Sequence, residues 1–103
     1  KREARDVRGM FVGLMEVNLS INIQISSLKD KRRIIKSLKD RLRNSFNLSV
    51  SEIDSLDNFY RAGLGFSTVS NDKKVINEIL SKTIDTIEKT GTVTIEEVKT
   101  EII

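Results

Sequence analysis

Six basic side chains, Lys29, Arg32, Arg33, Lys36, Lys39 and Arg43, recur at short helical steps within the stretch SSLKDKRRIIKSLKDRLRNSF. At 100° per residue they fall in a sector of a helix about 120° wide, beside an apolar stripe of Leu28, Ile35, Leu38, Leu42 and Phe46. Cations aligned in this way neutralise phosphates and release the counterions that cover them, which nominates the six as nucleic-acid-binding residues. The plainer alternative is a solvated helix face on which Asp40 pairs with Lys36 and Arg43 at helical spacing. Between residues 28 and 46, eight basic side chains stand against two acidic ones, in a chain whose net charge is only +3. The segments 10–27, 47–70 and 71–103 are each slightly acidic, so the basic character belongs to one segment laid on an acidic body.

Other chemistry is harder to assemble. The chain has no cysteine and no histidine, which removes disulfides, thiolate and imidazole metal sites, and nucleophile–base pairs built on either residue. Asp54 with Asp57, and Glu96 with Glu97, are paired carboxylates, but no neighbouring residue would raise a pKa or complete a metal shell. A non-enzymatic protein without metal or cofactor is therefore expected. No apolar run reaches the roughly 18 to 20 residues that cross a bilayer, and the N-terminal residues lack the apolar stretch of a secretory signal, so a cytoplasmic protein with no membrane partner is expected.

At 103 residues, with 38% hydrophobic and 32% charged side chains, the chain is long enough for one domain with one core. Residues 1–9, KREARDVRG, read as an unstructured arm or an expression remnant, and residues 10–103 as a single domain. From Phe11 to Gln24, apolar Met15, Val17, Leu19, Ile21 and Ile23 alternate with polar Glu16, Asn18, Ser20, Asn22 and Gln24, the period of a strand with one wet face. Ser27 and Asp30 then start a helix with a capping-box pattern, Asp replacing the longer Glu. A second strand spans about Leu48 to Ile53, whose last residue slips phase as at a bulge. A third is RAGLGFSTVS. Ser70 or Asn71 caps a second helix with Val75, Ile76, Ile79, Leu80, Thr83, Ile84 and Ile87 inward, and Gly91 ends it. The last strand runs from Thr92 towards Ile102 with a slip at Glu96 and Glu97.

The order βαββαβ, with half-polar strands and one apolar stripe per helix, is satisfied by a single sheet with both helices on one face. Right-handed crossovers interlock the halves into a ferredoxin-like α+β sandwich, a four-stranded antiparallel sheet with the first and third strands central. In that register Ala62, Leu64 and Phe66 face the helices, leaving Arg61, Gly63, Gly65 and Ser67 outward. RAGLGF superficially echoes the signature of RNA-recognition motifs, but its aromatic faces inward, which opposes base stacking on the sheet. Paired glycines in a central strand signal close approach by something else. With Val12, Leu14 and Val69 on the same face and Phe59 and Arg61 at its end, Val12, Leu14, Phe59, Arg61, Gly63 and Gly65 are candidates for packing against a second copy.

SSLKDKRRIIKSLKDRLRNSFNLSVSEID followed by RAGLGFSTVSND resembles the YlxP-like family of small bacterial proteins of unknown function, over essentially residues 10–103. The resemblance implies a ferredoxin-like fold and a bacterial cytoplasmic setting. Family members often lie among genes for transcription elongation and translation initiation, which implies RNA or ribosome work. Ser26 stands where the family pattern has His. The ferredoxin-like acylphosphatases offer a catalytic comparison, but they need an arginine and a backbone phosphate cradle after the first strand, where this chain has QISSLKD without a glycine. There is no GXXG loop for clamping a nucleic acid either. The expectation is an accessory protein holding RNA or the ribosome through the first helix; the alternative is a module that forms a homodimer through its open sheet face.

Overall fold

A computed structural model describes residues 9–103, so the arm expected over residues 1–9 lies, apart from Gly9, outside the described residues. The chain runs β1 (Phe11–Ile21), α1 (Leu28–Ser45), β2 (Ser49–Asp54), β3 (Arg61–Ser70), α2 (Lys73–Lys89) and β4 (Val93–Ile102). All strand neighbours are antiparallel in the order β2-β3-β1-β4, which is the ferredoxin-like α+β topology with β1 and β3 in the centre. No helix among the described residues is long and apolar enough to cross a membrane.

Alternation along β1 creates the core. Met15, Val17 and Leu19 sit opposite Phe66, Leu64 and Ala62 of β3, and all six are buried. Ile35, Leu38 and Leu42 of α1 and Ile76, Leu80 and Ile87 of α2 close over them. Full burial of each large apolar side chain contributes about 1.5–3 kcal/mol, so this layer is a major source of the fold's stabilisation.

Both phase slips are bulges. On β2, Glu52 pairs with Leu64 and Asp54 with Gly63, which leaves Ile53 as the extra residue. On β4, Glu97 pairs with Asn18 and Ile95 with Leu19, which makes Glu96 the extra one. The helix starts differ in detail from expectation. Ser27 Oγ accepts from the Asp30 N–H at 3.2 Å, but Asp30 Oδ2 reaches back past it to the N–H and hydroxyl of Ser26, at 3.0 and 2.9 Å. The N-cap of α2 is Asp72, not Ser70 or Asn71; its carboxylate accepts from the Lys74 N–H at 2.9 Å, while the Ser70 hydroxyl accepts from the Asp72 N–H. Val75, expected inward, is 40% exposed because the buried stripe of α2 runs through Ile76, Leu80, Thr83 and Ile87, one step round the helix.

Gly13 lies on the helix face of β1, where α2 descends onto the sheet. A Cβ placed there would collide with Ile76 Cγ2 and stand 3.3 Å from Thr68 Cγ2. Because contacts this short force side chains or backbone to move, Gly13→Val is expected to lower stability by about 1–3 kcal/mol. Urea unfolding measures the loss; a stability equal to the wild type would show that α2 does not rest on β1 at this point.

Candidate nucleic-acid interface

The buried residues of α1 are Lys31, Ile35, Leu38 and Leu42, so the cationic sector faces away from the core, over the β2 side of the molecule. Lys29, Arg32, Arg33, Lys36 and Arg43 are exposed, and Lys39 is half-buried at the margin of the core. Arg32, Lys36, Lys39 and Arg43 line one side of a trough of about 340 Å3, with Ile35 at its floor and Glu52 of β2 opposite. The structure thus brings these cations onto one surface.

They are not equally available. Lys36 Nζ donates to Asp40 Oδ2 at 2.7 Å, and this bond, with the charges of Lys36, Arg43 and Lys39 behind it, holds the Asp40 carboxyl below the ordinary aspartate value. Arg43 approaches the other oxygen of Asp40 at 3.5 Å and donates to the Val50 carbonyl at 2.9 Å. Val50 turns that carbonyl away from β3, at the open edge of the sheet, so Arg43 covers an edge acceptor as well as adding charge. Among the described residues no carboxylate forms an ion pair with Lys29, Arg32, Arg33 or Lys39. The sequence places Asp40 at helical spacing, and the structure shows that it neutralises only one end of the sector.

Lys31 is the residue that reading the stripe of leucines and isoleucines misses. It is 1% exposed, on the line of Ile35, Leu38 and Leu42. Its ammonium donates to the Ser55 carbonyl at 2.6 Å and the Leu56 carbonyl at 3.4 Å, and stands 2.9 Å from Glu52 Oε2. That carboxylate oxygen is off the line of a hydrogen bond, so the contact is ionic. Ser55 has a left-handed φ of 60°, unusual for a residue with a Cβ, and the Lys31 bond helps to hold it there. Positions 31, 35, 38 and 42 share one helical face, which was the available signal. Tyr60 completes this end of the molecule: its hydroxyl donates to the Ile25 carbonyl at 3.1 Å and accepts from the Ile25 N–H at 3.3 Å, tying the β2–β3 loop to the segment leading into α1.

The candidates on the open face are spread out. Val12 pairs with Val69 and Leu14 with Ser67 at one end, whereas Gly63 lies beside Asn18 and Arg61 beside Ser20 at the other. Eight residues of strand separate Val12 from Ser20, about 26 Å. Phe59 is in the loop before β3. What approaches the glycines is the chain itself: Ile53 side-chain atoms lie 3.1 Å from a Cβ built on Gly65, and Asp54 Cβ lies 2.8 Å from one on Gly63. The bulge in β2 therefore needs both glycines. The polar end is ordered by Asn18 donating to Glu97 and Ser20 to Glu96.

A family model described as "Protein of unknown function (DUF503)" matches residues 12–100. The "Uncharacterized protein YlxP" of Bacillus subtilis (strain 168) is 40% identical over 47 residues, a stretch that covers 46% of this chain and 51% of that protein, so the match spans about half of the relative. Among solved structures, the de novo designed protein Foldit4 is similar at a TM-score of 0.51 and 17% identity, covering 91% of this chain and 96% of that one. The designed protein Ferredog-Diesel is similar at 0.52 and 14%, covering 98% and 93%. A C-terminal segment of the alpha subunit of aIF2 from Pyrococcus abyssi is similar at 0.53 and 13%, covering 84% and 51%. At such identities the likeness is one of fold alone.

Two basic residues one step apart on α1 should behave oppositely on mutation. Lys31→Ala leaves the Glu52 carboxylate and the Ser55 carbonyl without their partner and is expected to destabilise by about 3–5 kcal/mol, as other broken buried pairs do. Arg32→Ala should stay within about 0.5 kcal/mol. Chemical denaturation of both variants tests the contrast, and similar losses would contradict it.

Proposed function

The chain belongs to the DUF503 family, and for it we propose the role of a small non-enzymatic accessory protein that holds RNA, free or in the ribosome, along the outer flank of α1. The observation that carries this reading is that Lys29, Arg32, Arg33 and Lys39 form no ion pair with a described carboxylate, on a helix whose two acids lie near its ends, Asp30 bonded to Ser26 in the first turn with Arg33 nearby and Asp40 bonded to Lys36. From Lys29 to Arg43 the flank extends over fourteen residues of helix, about 21 Å. A cationic row of that length suits a polyanion better than a single small anion. Lys36 and Arg43, sharing Asp40, contribute less than the other four.

Anisotropy of a fluorescent single-stranded RNA against salt tests it. With a slope of about −0.7 per neutralised phosphate, four engaged cations give a log–log slope near −3. The variant Lys29→Glu, Arg32→Glu, Arg33→Glu, Lys39→Glu should lose binding and keep its thermal melt, while Lys36→Ala should change affinity less than twofold. Equal binding by the fourfold variant and the wild type would end the RNA reading.

A second reading has one supporting feature. Val12, Leu14, Ile53 and Val69 gather at one end of the open face, three of them 36–50% exposed, which supports self-association there. Leu14→Arg should then make an associating protein monomeric in sedimentation equilibrium; unchanged association would remove this face from consideration.

A further inference from the structure

The two edges of the sheet are finished differently. At β2 the Val50 carbonyl is taken by Arg43. No strand lies beyond β4 among the described residues. The Val12 N–H and C=O exchange hydrogen bonds with those of Ile103, so in this ladder Ile103, Glu101, Lys99 and Glu97 turn their backbone groups towards β1. Val98, Thr100 and Ile102, between them, turn theirs outward. The side chains of these three lie on the helix face, where Val98 and Ile102 are only partly buried at the border of the core, and Thr100 is exposed. Among the described residues β4 thus presents three residues of unpaired backbone, with the apolar side chains of Val98 and Ile102 unfinished on one side.

We infer that β4 pairs antiparallel with β4 of a second copy about a two-fold axis at Thr100, giving a continuous eight-stranded sheet with all four helices on one face. The sequence selects that register. Centred on Thr100, Val98 meets Ile102 twice on the helix face, Thr100 meets its counterpart, and Lys99 meets Glu101 twice on the open face, each an attractive cross-strand pair. Centring on Lys99 would oppose lysine with lysine and Glu97 with Glu101, and centring on Glu101 would oppose two glutamates. Centring on Val98 would run Thr100 into the bulge at Glu96. Thr100 is also the midpoint of the regular stretch from Glu97 to Ile103 that follows the bulge. The helices leave room. α2 packs on β3, β1 and β4, so it is centred over β1, and three strand spacings, about 14 Å, would separate it from its counterpart.

The edge pairing is independent of RNA binding and uses a different surface from the open face. Sedimentation equilibrium from 10 to 500 micromolar should show a wild-type dimer. Lys99→Glu and Glu101→Lys, each alone, should be monomeric over this range, since each sets like charges opposite each other. An equimolar mixture of the two variants should regain the dimer, because every carboxylate at positions 99 and 101 of one chain then faces an ammonium of the other. Lys99 also lies opposite Glu16 and 3.9 Å from Glu97 of its own chain, so Thr100→Pro, which loses an outward N–H and no bond to β1, serves as a second probe and should abolish the dimer while circular dichroism stays native. A monomeric wild type, variants that remain dimeric, or a mixture that stays monomeric would overturn the pairing. So would loss of the dimer in Leu14→Arg alone, which would place the contact on the open face.

Discussion

β1 is bonded along both sides, to β3 and to β4, and that double pairing is the constraint from which the rest of the molecule follows. A strand held on two sides cannot slip by one residue without turning Met15, Val17 and Leu19 into water and bringing Glu16 and Asn18 under the helices. Once its faces are set, those of β3 and β4 are set with it, and the two bulges absorb the remaining mismatch at the outer strands. Each bulge also has a lasting effect. At Ile53 it sends an aliphatic side chain across the glycine of β3, and at Glu96 it limits the length over which β4 is regular.

The second constraint is the buried ammonium of Lys31. Removing a charge from water costs several kcal/mol, which the ion pair with Glu52 and the loop carbonyls offset only through good geometry. A methionine of similar length would pack as well but would leave the left-handed Ser55 without its carbonyl partner. Lys31 is thus a structural member of a helix whose other cations face outward. The surplus of basic residues in α1 therefore overstates the charge on offer: Lys31 answers Glu52, and Lys36 and Arg43 share Asp40.

Much of the architecture was legible because it rests on local periodicity. The alternation in β1, the slips at Ile53 and Glu96, the stripe of α1 and the glycine after α2 all state their structure in adjacent residues. Other features depend on what lies across the fold. Lys31 occupies a core position, but only the arrival of Glu52 and the Ser55 carbonyl explains a charge there. Gly63 and Gly65 announced a close neighbour without naming it, and the neighbour within the fold is the bulged end of β2. The capping of α2 by Asp72 instead of Ser70 or Asn71 was a choice among three adjacent side chains that sequence pattern ranks nearly alike. Cation positions were readable from helical spacing, whereas their availability required the placement of Asp40 and of the β2 edge.

The finished edge and the open edge lie on opposite sides of the sheet, and this separation links the two surfaces. α1 and its cations lie on the β2 side, so an edge-paired dimer would carry its two basic flanks at the far ends of eight strands. Seven strand spacings amount to about 34 Å. Two weak phosphate-binding flanks on one rigid body act on a long polyanion as a bivalent site, in which the second contact forms at the effective concentration set by the first. A flank of four engaged cations gives modest, salt-sensitive affinity by itself. Pairing at β4 would raise that affinity for a strand long enough to reach both flanks and leave affinity for a short oligonucleotide unchanged, so the sheet edge would act as a selector of RNA length without touching RNA.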